Sequence, residues 1–410
     1  MNRYITKYEH DPLKLDELSN AQLRALQSFH GEGIPYFSLI HQGIKFCEFV
    51  GVLQVGETVI EVLPKADKNK QENDWRNILI GMLRVVAGFE VEAPTSTNLH
   101  LRQNAILNLY FELFISETEK LLHKGLVKRY RTIKSNNTAL KGQLQFAQHV
   151  QKNLVHQERF FVAYTIYDNQ NNYNAILYQT LIILRRINAI PHLQSRINAL
   201  LMNFPEMPNI QVTEALFNTI KFSRKTIAYK KAIGIARMIL LNYHPDLRKG
   251  QENVLALMFN MNQLWEKFVF LTLKKCLSQE FYVIDQKPVK FWKPYHGNTS
   301  SLKPDILIET KSGDKFVLDT KWKNQNGASP TSGDIRQMYA YLQYTDSRKA
   351  ALVYPSDKQQ EVGGEFYLEN GDGKELSGKK CSLISFSANP KVNEWQKDIS
   401  RFIQAWATNQ

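Results

Sequence analysis

Asp305, Asp319 and Lys321 are residues whose types and spacing could do chemistry together. They lie in Leu302–Lys323, LKPDILIETKSGDKFVLDTKWK, which reads as two β-strands and a turn. Pro304-Asp305-Ile306-Leu307-Ile308 is a short apolar run, and Lys311-Ser312-Gly313-Asp314 is a turn cluster. Lys315 to Trp322 alternates, so Lys315, Val317, Asp319 and Lys321 share one face of the second strand. A turn centred near Ser312 or Gly313 sets Asp305 opposite Asp319 or its neighbour. A plain hairpin has little structural need for two carboxylates and an ammonium on one small spot; metal-dependent phosphodiester hydrolysis does. A scissile phosphate is anionic and resists an anionic nucleophile. Carboxylates can hold a hard cation such as Mg²⁺, with Mn²⁺ as a substitute, which prefers oxygen ligands and keeps several waters. The cation lowers the pKa of a bound water and polarises the phosphoryl oxygen. Asp305, Asp319 and Thr320 are the candidate metal-holding residues, and Lys321 orients the water or neutralises charge developing in the transition state. A bare D-x-K is common, and a mixed-charge surface strand is its bland alternative, so the flanking elements must decide.

Those elements support the chemistry. Upstream, Asn253 to Leu277 is expected to be an amphipathic helix with Val254, Met258, Met261, Trp265 and Phe268 as its apolar seam. Glu266 sits beside that seam, where an ordinary surface Glu is not expected. Downstream, Asp334 can cap a helix running to about Tyr344. Gln337 and Tyr341, four apart on that helix, share a face and are candidates to contact or position DNA. Ala350-Ala351-Leu352-Val353-Tyr354 reads as a fully buried strand. Asp305 followed by Asp319-Thr320-Lys321, 319 − 305 = 14 positions on, fits the P-D…D-x-K pattern of the PD-(D/E)xK nuclease superfamily. Helix, strands, hairpin, helix and buried strand is also the order of that superfamily's core. The resemblance implies that Asp305, Asp319 and Lys321 are catalytic, and Glu266 resembles the further acidic residue that the preceding helix often supplies.

Length and composition bound the rest. A chain of 410 residues has room for two or three domains, and 43% hydrophobic with 22% charged residues is ordinary globular composition. A net charge of +13 favours an acidic partner, nucleic acid first and a membrane surface second, over a merely basic protein. Cys47, Cys276 and Cys381 are far apart, with neither zinc spacing nor a disulfide framework, so a reducing cytoplasm is expected. MNRYITKYEHDP is no signal peptide, and the apolar stretches Ile106 to Leu122 and Met238 to Tyr243 are interrupted by charge or too short to span a bilayer. The chain shows no HExxH, GxSxG or GxGxxG. Gly373 to Lys380 nearly matches a phosphate-binding P-loop, but Lys380 stands where Ser or Thr must hold Mg²⁺, so a hairpin tip is expected there. His296, in Pro294-Tyr295-His296-Gly297, is expected to be a loop histidine rather than a site residue.

The expected fold is α+β and multidomain. Residues 1–95 read as β-rich after a capped helix over Asp16 to Phe29, with strands Phe46–Val55 and Thr58–Leu63 in a small sheet or barrel and Trp75 to Ala87 helical. Residues 96–250 read as mostly helical and basic, with a long helix from about Leu101 to Gly125, an aromatic β-like stretch at Phe160–Tyr167 and a helix over Asn174–Asn188. One basic cluster includes Lys128, Arg129, Arg131 and Lys141, and a second includes Arg224 and Lys225. Either could track DNA phosphates or meet a partner, or simply be a solvated face. Residues 251–410 read as the nuclease core, expected to fold separately, with strands near Phe366–Leu368 and Ser382–Phe386 and a last helix carrying Trp395, Ile399, Phe402 and Trp406. No internal repeat or low-complexity segment is present.

Several N-terminal pieces resemble the McrC family, the nuclease subunit of McrBC-type restriction systems. Val50-Gly51-Val52-Leu53-Gln54-Val55 with Ile60-Glu61-Val62-Leu63-Pro64-Lys65-Ala66 is similar, as is Arg129-Tyr130-Arg131 followed by Leu140-Lys141-Gly142-Gln143-Leu144 and Asn153. Met261 to Val269 continues the match ahead of the hairpin. Gln143 departs from it, since a basic residue is expected after the glycine. The resemblance implies a subunit that does not act alone. Its N-terminal half would dock in a hexameric AAA+ GTPase, McrB-like, and stimulate hydrolysis while the C-terminal part cuts double-stranded, methylated DNA. Two other functions stay open: a non-catalytic adaptor that activates an AAA+ NTPase, and a stand-alone repair nuclease whose N-terminal half binds DNA directly.

Overall fold

Val50, Val52, Leu53 and Val55 alternate between the two faces of a strand, Phe49–Val55, which is the centre of the N-terminal sheet. The computed structural model describes residues 3–31, 33–65, 71–86, 105–188, 190–244, 253–278, 280–323, 330–368 and 374–408. The N-terminal sheet is open and five-stranded, in the order Arg3–Tyr8, Thr58–Leu63, Phe49–Val55, Val254–Asn260, Tyr243–His244. Its fourth strand corrects the expected helix over Asn253 to Leu277: the helix is Met261–Leu277, and Val254–Asn260 pairs antiparallel with Phe49–Val55. Val254-Leu255-Ala256-Leu257 is buried on both faces, so it lacks the alternation that marks a strand, and periodicity cannot separate such a run from a helix. Asn260 makes the transition, its side chain accepting from the Gln263 N–H as the helix cap. Gly51 makes the pairing possible: its φ is +138°, and a Cβ there would collide with the Leu257 carbonyl.

The first helix is also shorter than expected, Asn20–His30, because Ser19 rather than Asp16 starts it through a capping box with Gln22. The expected strand from Phe46 is two strands, Gly43–Phe46 and Phe49–Val55, and the first joins a separate three-stranded sheet with Pro12–Lys14 and Phe37–Ile40. Beyond Pro64 the helix Glu72–Val86 buries Arg76, 1% exposed, whose Nε and Nη2 reach Glu61 Oε2 at 2.8 and 2.6 Å. The apolar-looking Ile60–Leu63 run thus carries a charge only because Arg76 neutralises it.

The middle of the chain packs the helices Ala105–Lys124, Asn172–Ile187, Pro191–Asn203 and Lys230–Leu241. It also holds a three-stranded sheet, Arg129–Asn137, Phe160–Asp168 and Gln143–Leu144, with the helix Phe146–Asn153 beside it. Gly142, with φ +79° and no room for a Cβ against the Ala163 carbonyl, explains the glycine of Leu140-Lys141-Gly142 as a backbone requirement.

The C-terminal sheet runs Phe281–Asp285, Ile306–Thr310, Lys315–Thr320, Lys349–Ser356, Leu376–Ser387, Gln360–Tyr367. Lys315–Thr320 and Lys349–Ser356 are parallel, as are Lys349–Ser356 and Leu376–Ser387. Strand alternation divides the faces. Phe316, Leu318, Ala351 and Val353 meet the helices Met261–Leu277 and Val392–Thr408, where Trp265, Phe268 and Trp395 are buried. Val317, Leu352 and Tyr354 meet Met338, Tyr341 and Leu342 of the helix Ser332–Thr345. Leu376–Lys380 is strand paired to the sheet edge, not a phosphate loop; Gly373 lies outside the described residues.

One apolar core runs from Val50 and Trp75 through Tyr110 and Ile176 to Trp265, Ile308 and Trp395. Trp322, directly after Lys321, packs edge-on against both Trp75 and Trp265 and donates its Nε1–H to buried Glu9 at 2.9 Å. Glu9 also accepts from the Lys65 N–H at 2.8 Å, which pins Leu63-Pro64-Lys65 beside Trp322, just past the strand Lys315–Thr320. A division at 250/251 would therefore separate Val254–Asn260 from its sheet and expose this seam. The expected boundary at 250/251 thus leaves the strand Val254–Asn260 on the far side from the sheet it pairs in.

Candidate active site

The hairpin register decides where the carboxylates go. Ile306 pairs with Leu318 and Glu309 with Lys315, and Gly313, at φ +94°, closes the turn with its N–H on the Thr310 carbonyl. One step beyond Ile306, Asp305 falls beside the Asp319-Thr320 peptide. Its Oδ2 accepts from the Thr320 N–H at 2.7 Å and from Thr320 Oγ1 at 2.9 Å. The Thr320 hydroxyl is thus engaged with Asp305, and the backbone carbonyl is what Thr320 could offer a metal. Asp319 shares the face of Val317, looks towards the helix Ser332–Thr345 and is 1% exposed. Lys321 Nζ stands 2.7 Å from Asp319 Oδ2. Lys321 is thus the partner of that buried oxygen, and no second donor reaches it among the described residues.

Glu266 arrives from the preceding helix. The Val353 carbonyl accepts from both Lys321 N–H at 3.0 Å and Trp265 Nε1 at 3.2 Å, so one oxygen fixes the helix against the end of the strand Lys315–Thr320. The next residue, Glu266, is half-buried and held by a hydrogen bond from Gln286 Nε2. Gln286, at φ +44°, also donates its backbone N–H to the Asp305 carbonyl at 3.0 Å. Gln286 and its neighbour Asp285 had no sequence signal, because a Gln or Asp at a strand end matches no pattern until the strand's partner is known. Gln337 Nε2 donates to the Tyr341 hydroxyl at 2.7 Å, and that hydroxyl donates to the Lys303 carbonyl at 3.1 Å. The pair therefore braces the chain entering Asp305. The helix cap is Thr331, with Asp334 as its capping-box partner, rather than Asp334 itself.

Burial raises the Asp319 carboxyl to about 6, with Asp305 adding to the rise and Lys321 opposing it. Burial also raises Asp305, against the two Thr320 hydrogen bonds, and raises Glu266, with Asp305 contributing. Burial pulls Lys321 down, but Asp319 and Asp305 outweigh it and hold it above its ordinary value. Three carboxylates against one ammonium leave the site with an excess of negative charge that a cation would relieve. Among the described residues no group of three His, Cys, Asp or Glu side chains closes a metal cage. The side-chain oxygens of Asp305 and Asp319 are the ones here that could meet a hard cation.

The basic residues of the middle region lie elsewhere. Arg131 pairs with Asp168 at 2.7 Å, Arg129 lies over the Tyr173 ring and Lys141 over Tyr164, all within that region. Lys128, Arg224 and Lys225 are exposed. None of these contacts reaches the carboxylates. His296 is exposed in the loop after Val289–Trp292. Among the described residues no helix is long and apolar enough to cross a membrane.

A family described as McrBC 5-methylcytosine restriction system component matches residues 44–355. No curated protein matches the chain. Among solved structures, one chain of a refined half-complex from a tetradecameric assembly of Thermococcus gammatolerans McrB AAA+ hexamers with bound McrC is similar in fold. It is 18% identical with a TM-score of 0.66, and the match covers 98% of this chain and 100% of that one. A chain of the Thermococcus gammatolerans McrBC complex matches at 20% identity and a TM-score of 0.49, over 67% of this chain and 88% of that one.

Proposed function

This chain belongs to the family of McrBC 5-methylcytosine restriction system components, and from that membership we propose that it is the Mg²⁺-dependent DNA endonuclease subunit of a modification-dependent restriction complex. The observation that carries the reading is the buried Asp305–Asp319 pair, with an ammonium 2.7 Å from Asp319 and Glu266 alongside. Asp305 and Asp319 would hold the cation, with the Thr320 carbonyl as a further oxygen. Bound there, it supplies a water of lowered pKa and charge on the phosphoryl oxygen. Thr320 fixes Asp305 through two hydrogen bonds, and Gln286 fixes Glu266. Lys321, held cationic by its two acidic neighbours, orients the attacking water or meets charge developing on the phosphate.

The partner is an AAA+ GTPase of the McrB type. A similar fold occurs in an assembly of McrB AAA+ hexamers with bound McrC, and the middle region of this chain offers a surface for such a partner. Phe146, Val150, Leu154 and Val155 are more than half exposed on and just after one short helix, and Tyr130 and Tyr167 are an exposed, tilted ring pair towards the other end of the adjoining sheet. Exposed apolar clusters of that kind mark protein contacts. The direct test uses 5-methylcytosine-bearing plasmid, GTP, Mg²⁺ and an McrB-type GTPase. Cleavage is expected only with all components, and Asp305→Ala should abolish it while still stimulating GTP hydrolysis. Cleavage by Asp305→Ala at the wild-type rate would overturn the nuclease assignment, and equal cutting without the GTPase would replace the motor-coupled reading with a stand-alone nuclease.

A further inference from the structure

We propose that the small hairpin Val289–Trp292 and Ser300–Leu302 is the surface that grips DNA at the cut, its lysines holding backbone phosphates and Trp292 and Tyr295 stacking on bases beside the scissile bond. The inference rests on the nuclease reading and adds where and how the substrate is held.

The hairpin grows out of the carboxylate site. It pairs Val289 with Leu302, Lys290 with Ser301 and Trp292 with Ser300, an irregularity at Phe291 bending the first strand. Gln286, three residues before it, contacts both Glu266 and the Asp305 backbone. Lys303, the residue after it, receives the Tyr341 hydroxyl, and Asp305 follows two positions later. Both ends are therefore tied to site residues, and the hairpin cannot sit far from the phosphate those residues would attack.

Its charge and exposure are what a polyanion requires. Between Asp285 and Asp305 the sequence has four lysines, Lys287, Lys290, Lys293 and Lys303, and no acidic residue. All four are exposed, and among the described residues none is paired with a carboxylate. Phe291 is accounted for structurally, since its ring packs edge-on against Tyr344 at 5.1 Å and docks the hairpin on the helix Ser332–Thr345. No packing role accounts for Trp292, 61% exposed, or Tyr295, which is fully exposed. Large aromatic rings held in water amid lysines are the combination that stacks on bases while cations follow the backbone. The alternation of ring and lysine matches the repeat of base and phosphate. Lysines holding the flanking phosphates supply positive charge on either side and leave the scissile phosphate to the metal site.

The test is binding of a fluorescein-labelled duplex carrying a short single-stranded gap, whose unpaired bases are free to stack, by the full chain in EDTA, read by anisotropy across a salt series. Trp292→Ala with Tyr295→Ala should weaken binding by about five- to a hundredfold, the usual loss for a stacked base, and Trp292→Phe with Tyr295→Phe should restore most of it. Lys290→Ala with Lys293→Ala should lower the slope of log affinity against log salt by about two. Mn²⁺ titration of the same variants should be unchanged, because no carboxylate is touched. Unaltered affinity and salt slope in both sets would overturn the proposal, as would normal DNA binding with lost stimulation of the GTPase, which would make the hairpin a partner surface. A wild-type chain that binds the duplex through the hairpin but takes up no Mn²⁺ would instead count against the nuclease reading alone.

Discussion

Asp319→Asn should make the metal-free protein more stable at neutral pH while abolishing cleavage. The carboxyl is 1% exposed, and burial with Asp305 raises it from 3.8 to about 6. At about 1.36 kcal/mol per pKa unit, the ionised folded form carries a penalty of roughly 3 kcal/mol relative to the unfolded chain. The sign follows from proton binding. Below pH 4 the group is protonated in both states and the penalty is absent. Between about 4 and 6 the unfolded chain releases its proton while the folded one keeps it, so stability falls as pH rises, and above about 6 the penalty is complete. Asparagine keeps the shape and removes the charge but loses the Lys321 ion pair, so a net gain of about 1–3 kcal/mol is expected at pH 7.5. Urea unfolding in EDTA should show a higher midpoint for the variant at pH 7.5 and a difference that shrinks towards pH 4. Adding Mg²⁺ should stabilise the wild type and not the variant, since only a ligand bound to the folded state shifts the midpoint. A metal-free variant less stable than wild type at pH 7.5, or a difference indifferent to pH, would refute the claim that the site holds an unrelieved carboxylate.

Lys321→Ala should cut turnover by on the order of 10²–10³ while leaving Mn²⁺ affinity intact; loss of metal binding by titration would mean the ammonium was misassigned. Arg76→Ala leaves Glu61 buried and unpaired and should cost about 3–5 kcal/mol in urea unfolding, whereas a change under 1 kcal/mol would mean that water reaches Glu61. Glu9→Ala strands the Trp322 indole N–H and the Lys65 N–H, at about 1–3 kcal/mol for a buried donor, and Glu9→Gln should recover most of that; equal unfolding midpoints for all three proteins would argue against the seam. A fragment of residues 251–410 should show poor solubility and non-cooperative unfolding, because Val254–Asn260 would become an unpaired apolar strand; a soluble, cooperatively unfolding fragment would show that this part folds separately.

What the sequence by itself determined is local. The turn residues Lys311–Asp314 and the period-2 alternation of Lys315–Trp322 were enough to place Asp305 against Asp319-Thr320, because a hairpin's register follows from its turn. Four-residue spacing was enough to join Gln337 to Tyr341. Pairing between distant segments was decided only in three dimensions. Val254–Asn260 is apolar on both faces, and nothing in its own pattern separates strand from helix; Gly51, some two hundred residues earlier, leaves the space that makes it a strand. Glu266 could be suspected from its place on the helix, but its aim depends on Trp265 and Lys321 sharing the Val353 carbonyl. Gln286 and Glu9 had no sequence signal at all, because a lone polar residue acquires a role only when a carboxylate or an indole from a remote segment is packed against it.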